Sequence, residues 1–171
     1  MKKIAIIGIS GTGKTMVAKE ISRILHIPVV HYDKFVWDKN RTEVHENIVE
    51  KKIREAIKKD TRIMEWYIHP AAKIRLEKAD TIIYLDYSWQ SAMIGGIQRR
   101  WKHRGETRPE MAEWCIEKFD RKYLKVMLTR EERPEVEEAI KGFEKKIIRL
   151  KSRRETKKFI KNIWKSKAKY L

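Results

Sequence analysis

Residues 8–15 read Gly8-Ile9-Ser10-Gly11-Thr12-Gly13-Lys14-Thr15, and this spacing suits the binding of a polyphosphate. Glycines at 8, 11 and 13 permit backbone angles that aim successive N–H groups, those of Ser10 and Thr12 included, at phosphate oxygens. A helix opening at Lys14 adds its positive N-terminal end. The Lys14 ammonium can reach β- and γ-phosphates, and the Thr15 hydroxyl can ligate Mg²⁺. The competing explanation is a chance match in a turn. An apolar strand before the loop and an amphipathic helix after it argue against chance, so ATP, or another purine nucleoside triphosphate, with Mg²⁺ is the expected ligand.

The elements that must position this loop follow from apolar patterning. Residues 2–7 form a short buried strand, bounded by Gly8. Residues 14–26 carry Val17, Ile21, Ile24 and Leu25 on one helical face. Pro28–Tyr32, Arg62–Trp66, Thr81–Leu85 and Ile147–Leu150 read as further strands, and 46–59 as a helix. A long helical region begins near Ser88, breaks near Gly105 and Pro109, and resumes to about Arg130. Pro134 suits the first turn of another helix. Ser152-Arg153-Arg154-Glu155 has the form of a capping box that opens a C-terminal helix. Strands alternating with helices predict an α/β fold with a parallel sheet covered on both faces. Ligands then bind beyond the carboxyl ends of the strands.

The chain of 171 residues fits one domain, and 42% apolar residues suffice for a core. No apolar run approaches the ~18 residues of a membrane helix. The N-terminal apolar run is expected to be a strand rather than a leader. Cys115 is the only cysteine, and the five histidines lack metal-ligand spacing, so a cytoplasmic, reducing setting is expected. The formal charge of +17 attracts polyanions, but charge alone does not choose between a solvated surface and a nucleic-acid patch. Residues 145–169 hold twelve Lys or Arg against Glu155 alone, whereas 131–144 are net acidic. A GTPase would need a base-reading Asn/Thr-Lys-x-Asp motif, which is lacking, and a motor ATPase would be larger. Size and an arginine-rich insertion after the fourth strand predict a small-molecule kinase with a mobile lid.

Several segments together resemble one family. They are the phosphate loop, Ile27-Pro28-Val29-Val30-His31-Tyr32-Asp33-Lys34 and Arg75-Leu76-Glu77-Lys78-Ala79-Asp80-Thr81-Ile82-Ile83. Arg99-Arg100-Trp101-Lys102-His103-Arg104-Gly105-Glu106-Thr107-Arg108-Pro109-Glu110-Met111 is the most distinctive. Cys115-Ile116-Glu117-Lys118, Arg133-Pro134 and Leu150-Lys151-Ser152 complete the set. Over nearly the whole chain this is similar to the adenylate-kinase-like DNA topology modulation (FlaR-type) proteins. The resemblance implies a three-layer P-loop NTPase of nucleoside-monophosphate-kinase type, with a five-stranded parallel sheet in the order 2-3-1-4-5 and a helical lid. It implies one domain over 1–171, with an acceptor region at about 33–75 and a lid at about 95–120. Arg99, Arg100, Arg104 and Arg108 would be lid arginines gripping the transferring phosphoryl group, or else a solvated basic helix. Asp33 would accept a hydrogen bond from an acceptor hydroxyl, or act as a cap. Arg75 would contact an anionic acceptor or form a surface salt bridge, and Arg133 would reach a phosphate.

The family pattern Ile-Asp-Gly-Asn-Tyr is here Met64-Glu65-Trp66-Tyr67-Ile68. Glu65 would replace the Asp that orients Mg²⁺, and Trp66 stands where backbone should approach substrate. Gly95 stands where the family carries an Arg four residues before Arg99, and Trp114 where it carries a small residue. Two functions follow: a kinase acting on a nucleotide or hydroxylated metabolite, or a nucleotide-dependent nucleic-acid-binding or regulatory protein with weak or no kinase activity. A monomer or homodimer, without membrane insertion, fits both. The apolar face of the last helix, Phe159, Ile160, Ile163 and Trp164, is expected to dock on the sheet.

Overall fold

Each of the five apolar runs becomes a strand of a single parallel sheet in the computed structural model, which describes residues 1–39, 42–65, 73–116, 125, 128 and 132–168. The strands are β1 (Lys3–Ile7), β2 (Val29–His31), β3 (Arg62–Glu65), β4 (Thr81–Leu85) and β5 (Ile147–Leu150). Their order is β2-β3-β1-β4-β5, as expected, and every pairing is parallel. All five side chains of β4 are buried, which explains why it is apolar throughout after Thr81, since helices cover both faces. Ile6 pairs with Glu65 and with Ile83, and His31 pairs with Glu65, so the carboxyl ends of β1, β2 and β3 lie side by side.

One face of the sheet is covered by α1 (Lys14–Leu25) and by the last described helix, Arg153–Ala168. Val17, Ala18 and Ile21 of α1 pack with Ile4, Ile6, Ile63 and Ile83, and Phe159, Ile160 and Ile163 join them from the last helix. The expected docking of that helix is observed, although Trp164 stays 58% exposed. The other face is covered by α4 (Lys73–Glu77) and α6 (Glu132–Ala139), through Leu76, Val136 and Ile140. A smaller cluster, Tyr32, Val49 and Ile53, sits between α2 (Asp33–Val36) and α3 (Glu46–Ala56). Each fully buried aliphatic side chain contributes about 1.5–3 kcal/mol. The last helix is labelled α7, and α5 (Trp89–Lys102) follows β4.

Element ends differ from expectation by small amounts with local causes. α1 stops at Leu25 because His26 turns left-handed, with φ 56°. α3 ends at Ala56, three residues early, and β3 ends at Glu65. Ser88 caps α5 by accepting from the Ser91 amide at 3.3 Å. At α7 the Ser152 hydroxyl accepts from the Glu155 amide at 3.2 Å. The Glu155 carboxylate, however, accepts from the amide of Lys151 at 2.8 Å, one residue before the position a capping box uses. Trp66 lies outside the described residues. The helix expected to resume after Pro109 does not form over 109–116, which make turns closed by an antiparallel bridge between Thr107 and Ile116. Most of the stretch on to Arg130 lies outside the described residues. No helix among the described residues is long and apolar enough to cross a membrane.

Candidate active site

The loop leaves β1 and turns at Gly8 (φ 148°), Gly11 (φ 83°) and Gly13 (φ 88°). Gly11 is constrained twice: besides its left-handed φ, a Cβ there would lie 2.0 Å from the Ala92 carbonyl oxygen of α5. At Gly8 a Cβ would lie 2.7 Å from the Leu85 carbonyl oxygen. The Thr12 hydroxyl pins the bend by donating to the Ile9 carbonyl at 2.8 Å. Gly13 is the N-cap of α1 and supplies no side-chain cap, so the first amides of α1 are left to an anion. Lys14 folds back and donates to the carbonyls of Gly8 (2.8 Å) and Ile9 (3.1 Å). Burial lowers the Lys14 pKa below the ordinary lysine value, against the upward pull of Glu132 and Glu65.

Around the loop, the strand ends deliver most of the residues that the sequence singles out. The Thr15 hydroxyl donates to Glu65 Oε2 at 3.2 Å, and Glu65 Oε1 lies 2.9 Å from His31 Nδ1. Asp33 opens α2, and its carboxylate pairs with Arg108 at 3.8 Å. Burial and the neighbouring Glu65 charge raise the Asp33 pKa, while Arg108, Lys14 and Arg99 pull it down. Lys14, Asp33, Glu65, Arg99 and Arg108 therefore share one electrostatic neighbourhood. Arg75 is 1% exposed, so it is no surface ion pair. Burial pulls its pKa down to about 10, and it faces Tyr32, whose hydroxyl burial pushes up to about 12.

The expected lid arginines part company. Arg100 and Arg108 are buried, Arg99 is half-buried and Arg104 is exposed. The segment after α5 is tied down: Glu110 pairs with Lys19 of α1, and the Cys115 thiol donates to the Asp38 carbonyl at 3.3 Å. Trp114 is 64% exposed, at φ 60°. Arg133 does not turn to the loop; it pairs with Asp86, just beyond β4, which Arg149 also holds at 3.1 Å. Residues 117–120, in the expected lid region, lie outside the described residues.

Two residues at the loop, and one just beyond β4, carry no signal in their spacing along the chain. Glu132, on α6, accepts from the Ser10 amide at 2.5 Å and from the Ser10 hydroxyl at 2.7 Å. Arg153, on α7, donates to the carbonyls of Gly11 (3.4 Å) and Ser91 (3.3 Å), with its guanidinium 5.6 Å over the Tyr87 ring. Asp86, beyond β4, holds Arg133 and Arg149 rather than the loop, and its place directly after an apolar strand is its one sequence signal. Gly95 now has a structural reason: a Cβ there would lie 2.3 Å from both the Gly11 carbonyl oxygen and an Arg153 nitrogen. Beyond Arg153 a cleft of about 540 Å³ opens between α1 and α7, lined by Thr12, Gly13, Met16, Ile160 and Trp164 among others.

Known structures share this architecture. A gluconokinase from Sinorhizobium meliloti 1021 superposes with a TM-score of 0.56 at 14% identity, covering 99% of this chain and 93% of that one. A shikimate kinase from Acinetobacter baumannii in complex with shikimate gives 0.58 at 12% identity, with coverage of 97% and 92%. A deoxyadenosine kinase from M. mycoides with bound dATP gives 0.54 at 17% identity, with coverage of 94% and 97%. At such identities the likeness establishes the fold, that of P-loop kinases. No protein-family model and no curated protein matches the chain.

Proposed function

We propose that this chain is a phosphotransferase that moves the γ-phosphoryl group of ATP to a hydroxyl of a small acceptor. One observation carries the reading: the glycine loop, Asp33, Glu65 and Arg108 converge at the carboxyl ends of β1, β2 and β3. The residues from 33 to 75 form the acceptor side, and those from about 95 to 120 the lid. Loop amides from Gly8 to Thr15 and the Lys14 ammonium hold the phosphates, and the cleft between α1 and α7 has room for the nucleoside. Thr15 and Glu65 offer hard oxygen donors within 3.2 Å of each other, a pair that suits Mg²⁺. When bound there, Mg²⁺ neutralises charge on the phosphates.

Asp33 takes the proton of the acceptor hydroxyl. That oxygen then bonds to the γ-phosphorus as the bond to the β–γ bridging oxygen breaks, and ADP leaves. Arg99, Arg100 and Arg108 supply donors toward the transferring group, with buried Arg75 beside the acceptor. Arg104, exposed, would join them on lid closure. The resemblance to FlaR-type topology modulation proteins, and the kinase chemistry named for the structural neighbours, support the reading. The gluconokinase and shikimate kinase make a hydroxylated metabolite as reasonable an acceptor as a nucleotide.

The test is a melting scan followed by an acceptor screen. Saturating Mg-ATP, at about 100 times its Kd, stabilises a protein by about 2.7 kcal/mol. For a domain of this size that is roughly 5–11 °C in Tm, and Lys14→Ala should abolish it. No shift in the wild type refutes nucleotide binding. A shift without ADP release against any nucleoside monophosphate or hydroxylated metabolite favours the nucleic-acid-binding or regulatory alternative.

A further inference from the structure

The anion site of the loop already holds an anion belonging to the chain. Two donors on Ser10, its backbone amide and its hydroxyl, meet the two oxygens of one carboxylate, Glu132, at 2.5 and 2.7 Å. Two oxygens of a phosphoryl group would take the same donors from such a loop. Among the groups that raise the Lys14 pKa, Glu132 is the foremost, so its charge also faces the buried ammonium that a phosphate would meet. The Ser10–Glu132 pair is not what docks α6: Val136 is fully buried against the sheet, and Arg133 pairs with Asp86.

The place of Ser10 in the loop points to one phosphate as the one imitated. Thr12, Gly13 and Met16 line the cleft that has room for the nucleoside, so in the proposed binding mode the first amides of α1, next to that cleft, would take the inner phosphates. Ser10 precedes Gly11 in the loop and does not line the cleft, so in that binding mode it would face the terminal phosphate. Resting on the proposed nucleotide binding, we propose that Glu132 is a specificity-determining residue that occupies the terminal-phosphate position, so a triphosphate must displace it while a diphosphate binds beside it. After transfer the carboxylate returns to Ser10 beside ADP. The Ser10–Glu132 pair thus sets the balance of triphosphate over diphosphate binding.

The experiment compares ATP and ADP affinities by calorimetry for wild type, Glu132→Ala and Glu132→Gln, with beryllium fluoride added to ADP as a terminal-phosphate mimic. Giving up the two Ser10 hydrogen bonds to Glu132, which phosphate oxygens then replace in part, leaves a net cost on the order of one charge-assisted hydrogen bond. That corresponds to roughly a tenfold change in binding constant. Glu132→Ala should bind ATP about tenfold more tightly and ADP within about twofold of wild type, with beryllium fluoride restoring the gain to ADP. Glu132→Gln, which keeps the shape and loses the charge, should gain in the same direction and serves if the alanine variant does not fold. An equal gain for ADP and ATP, or no gain for ATP, overturns the proposal and leaves nucleotide binding standing. Absence of binding of either nucleotide to every variant overturns the nucleotide reading itself, and this proposal with it.

Discussion

Replacing Gly11 by alanine separates two reasons for a glycine in the loop. At Gly13 only the backbone objects: φ is 88°, and a Cβ there would meet no atom closer than the Arg153 guanidinium at 3.8 Å. Left-handed geometry for an L-residue costs about 1–2 kcal/mol. Gly11 has the same φ handicap, and its Cβ would also sit 2.0 Å from Ala92 O and 2.8 Å from Gly96 N, both backbone atoms of α5. An ordinary van der Waals separation would require α5 to retreat by roughly 1.4 Å. Overpacking of this kind adds about 1–3 kcal/mol. With roughly 2–4 °C per kcal/mol for a domain of this size, Gly13→Ala should lower Tm by about 2–8 °C and Gly11→Ala by about 4–20 °C. Thermal melts of the two variants side by side, followed by circular dichroism without nucleotide, give the comparison. Equal losses would refute the seating of α5 on the loop, because the backbone-angle cost is common to both.

Three further outcomes follow from the same geometry. Asp33→Asn should keep the Mg-ATP melting shift while lowering turnover by about 10²-fold or more. Because burial and Glu65 raise the Asp33 pKa, the acid limb of the wild-type rate profile should lie above the pH of an exposed aspartate, and a limb at that lower pH counts against the assignment. Glu65→Gln should raise the Mg²⁺ concentration needed for half-maximal turnover by about tenfold, measured by metal titration at fixed ATP, and an unchanged requirement would remove Glu65 from the metal. Asp80 is pushed up by burial but held below the ordinary value, on balance, by the amides of Lys3 and Lys2 and the Thr81 hydroxyl. Its contribution is therefore present above the unfolded pKa and lost as pH falls through the folded one. Asp80→Asn should lower Tm at neutral pH, with the difference vanishing in acid, and a pH-independent difference would contradict the linkage.

What the sequence discloses depends on how local the controlling interaction is. β4 is legible to the residue because a strand buried on both faces is a nearly unbroken apolar run. β5 is legible because Ile147, Ile148 and Leu150 stand out from their polar flanks, although exposed Arg149 interrupts them. The loop is legible because its glycines, lysine and threonine are neighbours in the chain. Glu132 and Arg153 reach the loop across sequence separations of 122 and 142 residues, and no spacing rule announces such pairings. Gly95 illustrates the intermediate case. A glycine pair inside a helical pattern is visible in the sequence, but its meaning, room for Gly11 and for a guanidinium from α7, is a tertiary fact. Arg75 could be a surface or a buried cation on sequence grounds, and only packing decides.

The hydrogen bond from Arg153 to Gly11 sets a timetable for the newborn chain. The loop is translated before Arg153, and this support is made 142 residues later. At about 5–20 residues per second, the ribosome leaves that support missing for roughly 7–30 s. The partners of β1 arrive late too, since β3 and β4 flank it in the sheet and β2 lies beyond β3. A nascent chain halted before α7 would expose Phe159's partners in the core and hold a loop without its guanidinium brace. The proposed phosphate grip is thus braced only once α7 has been made, although the glycine loop precedes it in the chain.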